Sequence, residues 1–160
     1  MLLFIGLAYF GYQIFSKIKH KKEVAHNIKE MPKFSFTTIE GKTLTNKDLL
    51  PNHRTIFVYF NTTCDFCSHE AQMFKDNLHK MSKYQIIFVS FETSELIKPF
   101  AKQFQLLNHD KIHFITDPRA TFSITFDVKS MPSIVLYDEN HKLVEVIKGQ
   151  VKIETILKKF

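Results

Sequence analysis

The chain has 160 residues, 44% of them hydrophobic and 24% charged, which is typical of a globular domain rather than a disordered chain. Its 4 Gly and 5 Pro exclude collagen-like and linker-rich architectures, and no internal repeat indicates a solenoid or propeller. The net charge of +6 is concentrated in residues 17–33, whose six Lys and two Glu contribute +4. Because the rest of the chain is close to neutral, it is not expected to bind nucleic acid.

The first predicted element is an apolar N-terminal helix. Residues 2–15 carry no charge, and a lysine-rich stretch follows at residues 17–22. Extended to Ile18, the apolar run reaches the lower limit of about 17 residues for a membrane-spanning helix. We therefore expect residues 1–18 to form a single-span membrane anchor, with a cleaved signal peptide as the alternative. Residues 19–31 are expected to form a basic and polar connector.

The remainder of the chain, residues 32–160, contains segments with strand and helix periodicity. The predicted strands are 33–37 and 43–45, which form a hairpin, and then 54–60, 85–91, 112–116, 133–137 and 143–147. The predicted helices are 65–82, 94–107, 120–124 and 152–160, and Pro99 is expected to kink the second of them or shift its start. This order predicts an α/β domain with a mixed central sheet and helices on both faces.

The chain has only two cysteines, Cys64 and Cys67, and they are three residues apart. They follow the predicted buried strand 54–60, and the carboxyl end of a central strand is where such sheets place their reactive sites. At the first turn of the helix 65–82, unpaired backbone N–H groups and the helix dipole stabilise a thiolate. Cys64 is therefore predicted to attack a substrate disulfide, and Cys67 to resolve the mixed disulfide that forms.

A metal site is the alternative use of a C-x-x-C pair. A zinc site usually needs four ligands, and the chain has no second cysteine pair. On a helix His69 would point away from the cysteines, and haem attachment requires His where Ser68 stands. The pattern therefore favours redox chemistry over metal binding.

The stretch 58–70, VYFNTTCDFCSHE, resembles the active-site stretch of the thioredoxin superfamily. Within that superfamily it is most similar to the TlpA/ResA-like membrane-anchored thiol–disulfide oxidoreductases of bacteria, which belong to the redoxin and AhpC/TSA-related group. The resemblance covers residues 32–160 and implies a thioredoxin-like fold. Supporting similarities are Phe34 after Pro32, the turn at 41–44, and Met131-Pro132 before a strand.

The resemblance also implies roles for individual residues. Cys64 would be the exposed nucleophile and Cys67 the resolving thiol. Pro132 matches the cis-proline that faces the cysteines, and Met131 would offer its backbone to an extended substrate segment. Glu70 matches a glutamate of ResA-like proteins that influences cysteine protonation. The alternative is that Glu70 is a solvated carboxylate that only favours the helix N-terminus.

Several residues depart from the family pattern. Phe66 replaces the proline often found between the cysteines, and we expect it to contribute to substrate binding. Thr63 replaces the family's tryptophan, and Asp65 places a carboxylate beside the nucleophile. Val58 stands where thioredoxins carry a buried acid. These departures leave the redox potential and the preferred direction of exchange open.

The predicted function is exchange of the Cys64–Cys67 dithiol with protein disulfides in the reductive direction, with no cofactor beyond that redox-active pair. The other expected partners are an upstream thiol electron donor and the membrane, through residues 2–18. One alternative is a thiol peroxidase of the AhpC/TSA type, but Phe57 and Asn61 replace the Pro and Thr of its Pro-x-x-x-Thr-x-x-Cys motif. The other is a non-catalytic thioredoxin-like binding module.

The expected location is the bacterial inner membrane, with the domain on the periplasmic side. Disulfides persist outside the cytoplasm, and the family resemblance agrees with that side. The lysines at residues 17–22 argue for the opposite orientation, because positive residues next to a membrane span tend to stay in the cytoplasm.

Overall fold

The computed structural model describes the backbone of residues 2–160, and the side chains of all of these except residues 2–8, 10, 20 and 21. The strands are β1 (Ser35–Thr38), β2 (Thr43–Thr45), β3 (Arg54–Tyr59), β4 (Tyr84–Ser90), β5 (Ile112–Thr116), β6 (Ser133–Tyr137) and β7 (Leu143–Lys148). The α-helices are α1 (Leu2–Asn27), α2 (Asp65–Asp76), α3 (Ser94–Gln103), α4 (Thr121–Phe126) and α5 (Ile153–Leu157), with 3-10 turns at Asn46–Asp48 and Leu78–Lys80.

The seven strands form one mixed sheet in the order β2-β1-β5-β4-β3-β6-β7. The three strands β3, β4 and β5 run parallel, and every other neighbouring pair is antiparallel. Strand β3 lies between β4 and β6, so that Val58 pairs with Phe88 on one side and Ile134 on the other. The carboxyl end of β3 therefore emerges near the middle of the sheet, and Cys64 follows it.

The core has two layers because alternate residues of each central strand face opposite sides of the sheet. In β3, Ile56 and Val58 pack in the layer that contains buried residues of α2, α3 and α5. Phe57 and Tyr59 pack in the other layer, which contains α4 and the segment after α1. The predicted thioredoxin-like α/β architecture, with a mixed sheet and helices on both faces, is confirmed.

Aromatic side chains pack beneath the end of β3. Phe88 and Phe114 stack with ring centroids 4.7 Å apart, and Phe60 lies edge-on to both of them. The ring of Phe60 also lies 4.9 Å from that of Phe100 on α3. Offset-stacked and edge-on rings are the favoured arrangements for aromatic pairs. This cluster supports the strand end from which the cysteine-bearing segment leaves.

Helices α2, α3 and α5 end earlier than their apolar periodicity predicts, whereas α4 continues to Phe126, beyond the predicted end at residue 124. Helix α2 stops at Asp76 because Asn77 adopts a cap conformation, and its side-chain amide donates to the Met73 carbonyl at 2.9 Å. Helix α3 continues across Pro99 and ends before Gln105, whose φ of 54° is left-handed. Helix α5 is likewise confined to Ile153–Leu157.

The chain between α1 and β1 is attached to the β6–β7 hairpin. The hydroxyl of Tyr137 donates to the Ile28 carbonyl at 2.9 Å, and the Leu143 amide donates to the Lys29 carbonyl at 2.8 Å. Glu30 forms a β-bridge with Lys142. The predicted connector 19–31 is therefore helical through Asn27, and its last residues pair with the sheet.

The structure does not support the membrane-spanning helix predicted over residues 1–18. Helix α1 forms there, beginning at Leu2, and Met1 lies outside the described residues. Among the described residues, however, no helix combines the length and the apolar content needed to cross a bilayer. The uncharged run 2–15 extends only about 21 Å along a helix axis, against roughly 30 Å of hydrocarbon.

Candidate active site

Cys64 is the N-cap residue of α2, and its backbone is extended with φ −91° and ψ 116°. Its sulfur accepts a hydrogen bond from the Cys67 amide at 3.3 Å, which satisfies one of the free N–H groups at the helix start. The thiol also donates to the Met131 carbonyl at 3.8 Å. The side chain is half-buried, so this sulfur lies at the surface end of the helix and is in contact with its amides.

Cys67 is the shielded member of the pair, with only 2% of its surface exposed. Both cysteines are free thiols, and the Cys67 thiol lies within hydrogen-bonding reach of the Cys64 side chain. Burial, and then the contact with Cys64, raise the pKa of Cys67 to about 12, while a hydrogen bond with the Asn61 backbone acts in the opposite direction. The site therefore contains one accessible and one protected sulfur in contact.

Glu70 lies one helical turn beyond Cys67 and is completely buried. Burial raises the pKa of its carboxyl to about 7, although the Val151 amide donates to Oε2 at 3.2 Å and lowers it. The other oxygen, Oε1, is buried without a hydrogen-bond partner. The alternative of a solvated first-turn carboxylate is therefore wrong. The buried acid near these cysteines therefore lies on α2. The position on β3 where thioredoxins carry a buried acid is occupied here by Val58, which packs in the hydrophobic core.

The Met131-Pro132 loop lies against the cysteines, although it is 67 residues away in sequence from Cys64. The peptide bond between Met131 and Pro132 is cis, as the family resemblance implied. The Pro132 carbonyl accepts a hydrogen bond from the Gly149 amide at 2.9 Å. The fold thus brings Cys64, Cys67 and this loop together at the carboxyl end of β3.

Phe66 extends from the first turn of α2 and is 62% exposed. Its neighbours Thr63 and Asp65 are exposed as well. Burial of a phenyl ring would stabilise the fold, so an exposed ring gives up that free energy. An exposed ring beside a reactive group therefore indicates a surface that binds another molecule. The structure places Phe66 between the two cysteines on the surface of the site.

One contact at the site was missed by sequence reasoning. The carboxylate of Glu92 accepts hydrogen bonds from the Thr62 amide at 2.8 Å and from its hydroxyl at 2.9 Å. Glu92 follows β4, whose carboxyl end lies beside that of β3. A carboxylate placed directly after a central parallel strand is the signal that could have identified it.

The site can also be described by its composition in residues that bind metal ions. Among the side chains that the structure describes, no group of three or more His, Cys, Asp or Glu residues could hold a metal ion.

Comparison with protein families matches residues 27–159 to Redoxin. The chain belongs to the Redoxin family. The match covers both cysteines, the Met131-Pro132 loop and the whole sheet, so the resemblance predicted from the sequence is confirmed.

Two relatives of this Redoxin-family chain bear the name "Thiol-disulfide oxidoreductase ResA". The protein from Bacillus thuringiensis subsp. konkukian is 26% identical over 166 residues, which cover 99% of this chain and 92% of the relative. The protein from Bacillus anthracis is 28% identical over 155 residues, which cover 92% of this chain and 84% of the relative. These relatives agree with the predicted enzyme class, thiol–disulfide oxidoreductase.

A solved structure shows the same fold. It is a secreted Mycobacterium tuberculosis disulfide oxidoreductase described as homologous to Escherichia coli DsbE. The two structures superpose with a TM-score of 0.68 at 12% identity, over 84% of this chain and 96% of the other.

Proposed function

We propose that this Redoxin-family protein exchanges its Cys64–Cys67 pair with disulfides of protein clients, with net transfer of electrons to the client. The proposal depends on one observation. The half-buried side chain of Cys64, at the N-terminus of α2, lies in contact with the thiol of Cys67, which is shielded from solvent. This is the arrangement that two-step disulfide exchange requires, because only one thiol should meet the client first.

The reaction proceeds through a mixed disulfide. The Cys64 thiol first loses its proton, and the thiolate attacks one sulfur of the client disulfide, which breaks the S–S bond and releases the other client sulfur as a thiolate. That thiolate takes up a proton. Cys67 then loses its proton and attacks the Cys64 sulfur, which closes the Cys64–Cys67 disulfide and releases the second client sulfur as a thiolate, which is protonated in turn. The client gains two electrons and two protons, and the protein loses the same number.

We propose that Glu70 receives the proton that Cys67 must lose. A thiol with a pKa of about 12 is almost entirely protonated at neutral pH, so the second attack needs a nearby acceptor. The Glu70 carboxyl, on the same helix as Cys67, has a pKa of about 7, and its Oε1 is buried without a hydrogen-bond partner. A general base is most effective when its pKa is near the working pH.

We further propose that Met131, Pro132 and Phe66 form the client-binding surface around Cys64. The Met131 carbonyl that now accepts the Cys64 thiol is available to an extended segment of client once that thiol has reacted. The exposed ring of Phe66 would contact apolar side chains beside the client cysteine.

No cofactor is proposed beyond the Cys64–Cys67 pair, and an upstream thiol donor would return the resulting disulfide to the dithiol. Residues 32–160 would form the catalytic domain and residues 19–31 the connection to the N-terminal segment. Each turnover oxidises both sulfurs, so sustained reduction of clients requires such a donor.

We propose that α1 attaches the protein to the bacterial inner membrane, with the domain on the periplasmic side. In the described part of α1, apolar side chains including Ile14, Phe15 and Ile18 are exposed, and basic side chains follow. These exposed apolar side chains can contact the membrane interface, while the basic side chains that follow them stay in water. The periplasmic side is supported by the persistence of disulfides there. The Mycobacterium tuberculosis protein of similar fold is described as secreted.

Exchange with an oxidised protein substrate such as insulin tests the proposed activity. The wild type should reduce it in the presence of a dithiol donor, and Cys64→Ser should abolish the activity because the attacking sulfur is gone. Cys67→Ser should instead accumulate a mixed disulfide, visible by mass spectrometry. The proposal fails if Cys64→Ser reduces the substrate as fast as the wild type. Cys64-dependent consumption of peroxide without disulfide exchange would favour a thiol peroxidase.

A further inference from the structure

The segment 61–63 joins β3 to Cys64, and its conformation determines where both sulfurs lie. The Asn61 carbonyl accepts a hydrogen bond from the Cys64 amide at 3.4 Å, and the Asn61 backbone also hydrogen bonds with the Cys67 sulfur. Within the segment, the Asn61 side chain accepts from the Thr63 amide at 2.7 Å and from its hydroxyl at 2.6 Å. Because its side chains are short and polar and Thr63 is exposed, apolar packing does not hold this segment in place.

Glu92 holds the 61–63 segment in place through its contacts with Thr62. The Oε2 atom of Glu92 accepts from the Thr62 amide at 2.8 Å, and Oε1 accepts from the Thr62 hydroxyl at 2.9 Å. Both donors of one residue in the segment are thus bound by one carboxylate that lies 30 residues away in sequence. Hydrogen bonds to an ionised group are shorter and stronger than neutral ones, so this attachment is a firm one.

Glu92 is itself held by the two neighbouring parallel strands. Its amide donates to the Ser90 hydroxyl at 3.2 Å, and that hydroxyl donates back to Oε2 at 3.1 Å. The Glu92 carbonyl accepts from the hydroxyl of Thr116, the last residue of β5, at 2.7 Å. Through its carboxylate and its backbone carbonyl, Glu92 therefore links the ends of β4 and β5 to the segment that follows β3.

We infer that Glu92 is a positioning residue of the exchange reaction, which holds the 61–63 segment and thereby fixes the geometry of the Cys64 and Cys67 sulfurs. The inference rests on the proposed function of that cysteine pair. The hydrogen bonds of Glu92 are with Thr62, Ser90 and Thr116, so its effect on the sulfurs must pass through Thr62 and the backbone of Asn61. Because small displacements of a reacting group lower the reaction rate strongly, loss of a residue that holds the sulfurs in place should slow the exchange.

The hydrogen-bond pattern predicts how substitutions at Glu92 should differ. In Glu92→Gln the remaining carbonyl oxygen can accept from both the Thr62 amide and the Ser90 hydroxyl, as Oε2 does now. The new amide group can donate to the Thr62 hydroxyl, which is able to accept as well as donate. Glu92→Gln should thus keep the segment in place although it removes the charge, whereas Glu92→Ala removes every contact of the side chain and leaves only those of the Glu92 backbone.

The experiment compares Glu92→Ala, Glu92→Gln and the wild type in two measurements on the full chain. The first is kcat/KM for reduction of insulin, which we expect to fall about tenfold in Glu92→Ala and to stay close to the wild type in Glu92→Gln. The second is the equilibrium of the Cys64–Cys67 pair with glutathione. Loss of the Asn61 contact with the Cys67 sulfur removes stabilisation from the dithiol form. The Glu92→Ala equilibrium should therefore move about tenfold towards the disulfide, or about 30 mV.

Glu95→Ala is the matched control, because Glu95 is an exposed carboxylate three residues further along that contacts the start of its own helix. It should leave both measurements unchanged. The inference is overturned if Glu92→Ala matches the wild type in rate and equilibrium. The inference is equally overturned if kcat/KM falls as far in Glu92→Gln as in Glu92→Ala. The loss of activity would then come from removing the charge of Glu92 and not from removing its hydrogen bonds.

Urea unfolding establishes whether Glu92→Ala folds, and Thr62→Val carries the test if it does not. Thr62→Val removes only the hydroxyl contact, and we expect a partial loss of kcat/KM; an unchanged rate would count against the inference. Where Glu92→Ala folds, adding Thr62→Val to it should cause no further loss, because both act through the same contact. A wild type that fails to reduce insulin would refute the proposed function instead, so the two failures are distinguishable.

Discussion

At the scale of single residues, burial gives Glu70 and Cys67 their chemical character. Both side chains lie on the face of α2 that packs against the sheet, and burial is the largest cause of the raised pKa of each. Removing a carboxyl or a thiol from water penalises its charged form. The result is a thiol that holds its proton and an acid that can exchange one near neutral pH.

Glu70 should make the stability of the protein fall as the pH rises. Its pKa is 4.5 when solvated and about 7 when folded, so the folded state binds the proton more tightly and is stabilised most at low pH. That stability is lost between these two values, and we expect the free energy of unfolding to fall by about 2–3 kcal/mol between pH 5 and pH 8.

Urea unfolding of Glu70→Gln at the two pH values measures this contribution. The variant cannot ionise at this position, so its free energy of unfolding should fall less than that of the wild type. Glu40→Gln is the control, because Glu40 is exposed. Identical pH dependence in the wild type and Glu70→Gln would show that this carboxyl does not titrate as described.

Phe66 should affect client binding more than folding. Because its ring is 62% exposed, Phe66→Ser should change the free energy of unfolding by less than about 0.5 kcal/mol. We expect the KM for a protein disulfide to rise severalfold, while the rate with a small aromatic disulfide reagent should be less affected. Phe66→Tyr retains the ring and should resemble the wild type. An unchanged KM in Phe66→Ser would remove this residue from the client-binding surface.

At the scale of secondary-structure elements, the β6–β7 hairpin contacts both the strand that leads to the active site and the N-terminal segment. Its strand β6 pairs with β3, which carries the cysteines at its carboxyl end, and follows directly from Pro132. Its turn end binds the chain that follows α1, through the contacts of Tyr137 and Leu143 with residues 28 and 29. The hairpin thus connects the N-terminal segment to the domain at one end and flanks the active site at the other.

Tyr137→Phe tests the attachment of the N-terminal segment. The Tyr137 hydroxyl is buried, and removing it leaves the Ile28 carbonyl without this partner. We expect a loss of about 1–3 kcal/mol in the free energy of unfolding. Hydrogen exchange should also become faster at the Leu143 and Met31 amides. Tyr12→Phe, at an exposed tyrosine of α1, should have no such effect. Unchanged exchange at both amides would contradict this account of the attachment.

At the scale of the whole molecule, the N-terminal attachment and the active site lie at opposite ends of the central strands. Strand β6 is antiparallel to β3, so Tyr137 pairs with Thr55 at the start of β3, whereas Ser133 pairs with Tyr59 at its end. Ile28 is bound at the Tyr137 end and Cys64 lies beyond the other. A protein held through α1 would therefore present its reactive sulfur at the end of the sheet that is farther from the attachment.

This geometry predicts that membrane attachment leaves Cys64 accessible. In the Cys67→Ser variant, which has a single thiol, a bulky maleimide should react with vesicle-bound protein at nearly the rate seen in detergent. A polar reagent of this size does not enter a bilayer, so strong protection in vesicles would contradict the arrangement. A topology reporter fused after Phe160 would determine the side of the membrane.

The sequence alone determined the order of the elements, the class of fold and the identity of the reactive pair. Strands 112–116 and 133–137 are found where their apolar, β-branched runs predict them, because that pattern is a local property of the chain. The helix start at Cys64 is also local, since it depends on the break after β3 and on helical spacing from Asp65 onwards.

Only the tertiary structure decided which of these residues are buried and which meet. Glu70 could have been solvated, and it is buried because its face of α2 packs against the sheet. The contacts of Thr62 with Glu92 and of Cys64 with Met131 join residues 30 and 67 positions apart, and the membrane-spanning helix expected at the N-terminus is not among the described elements. Periodicity reports only the neighbours of a residue along the chain, whereas burial and pairing depend on how distant segments close over one another.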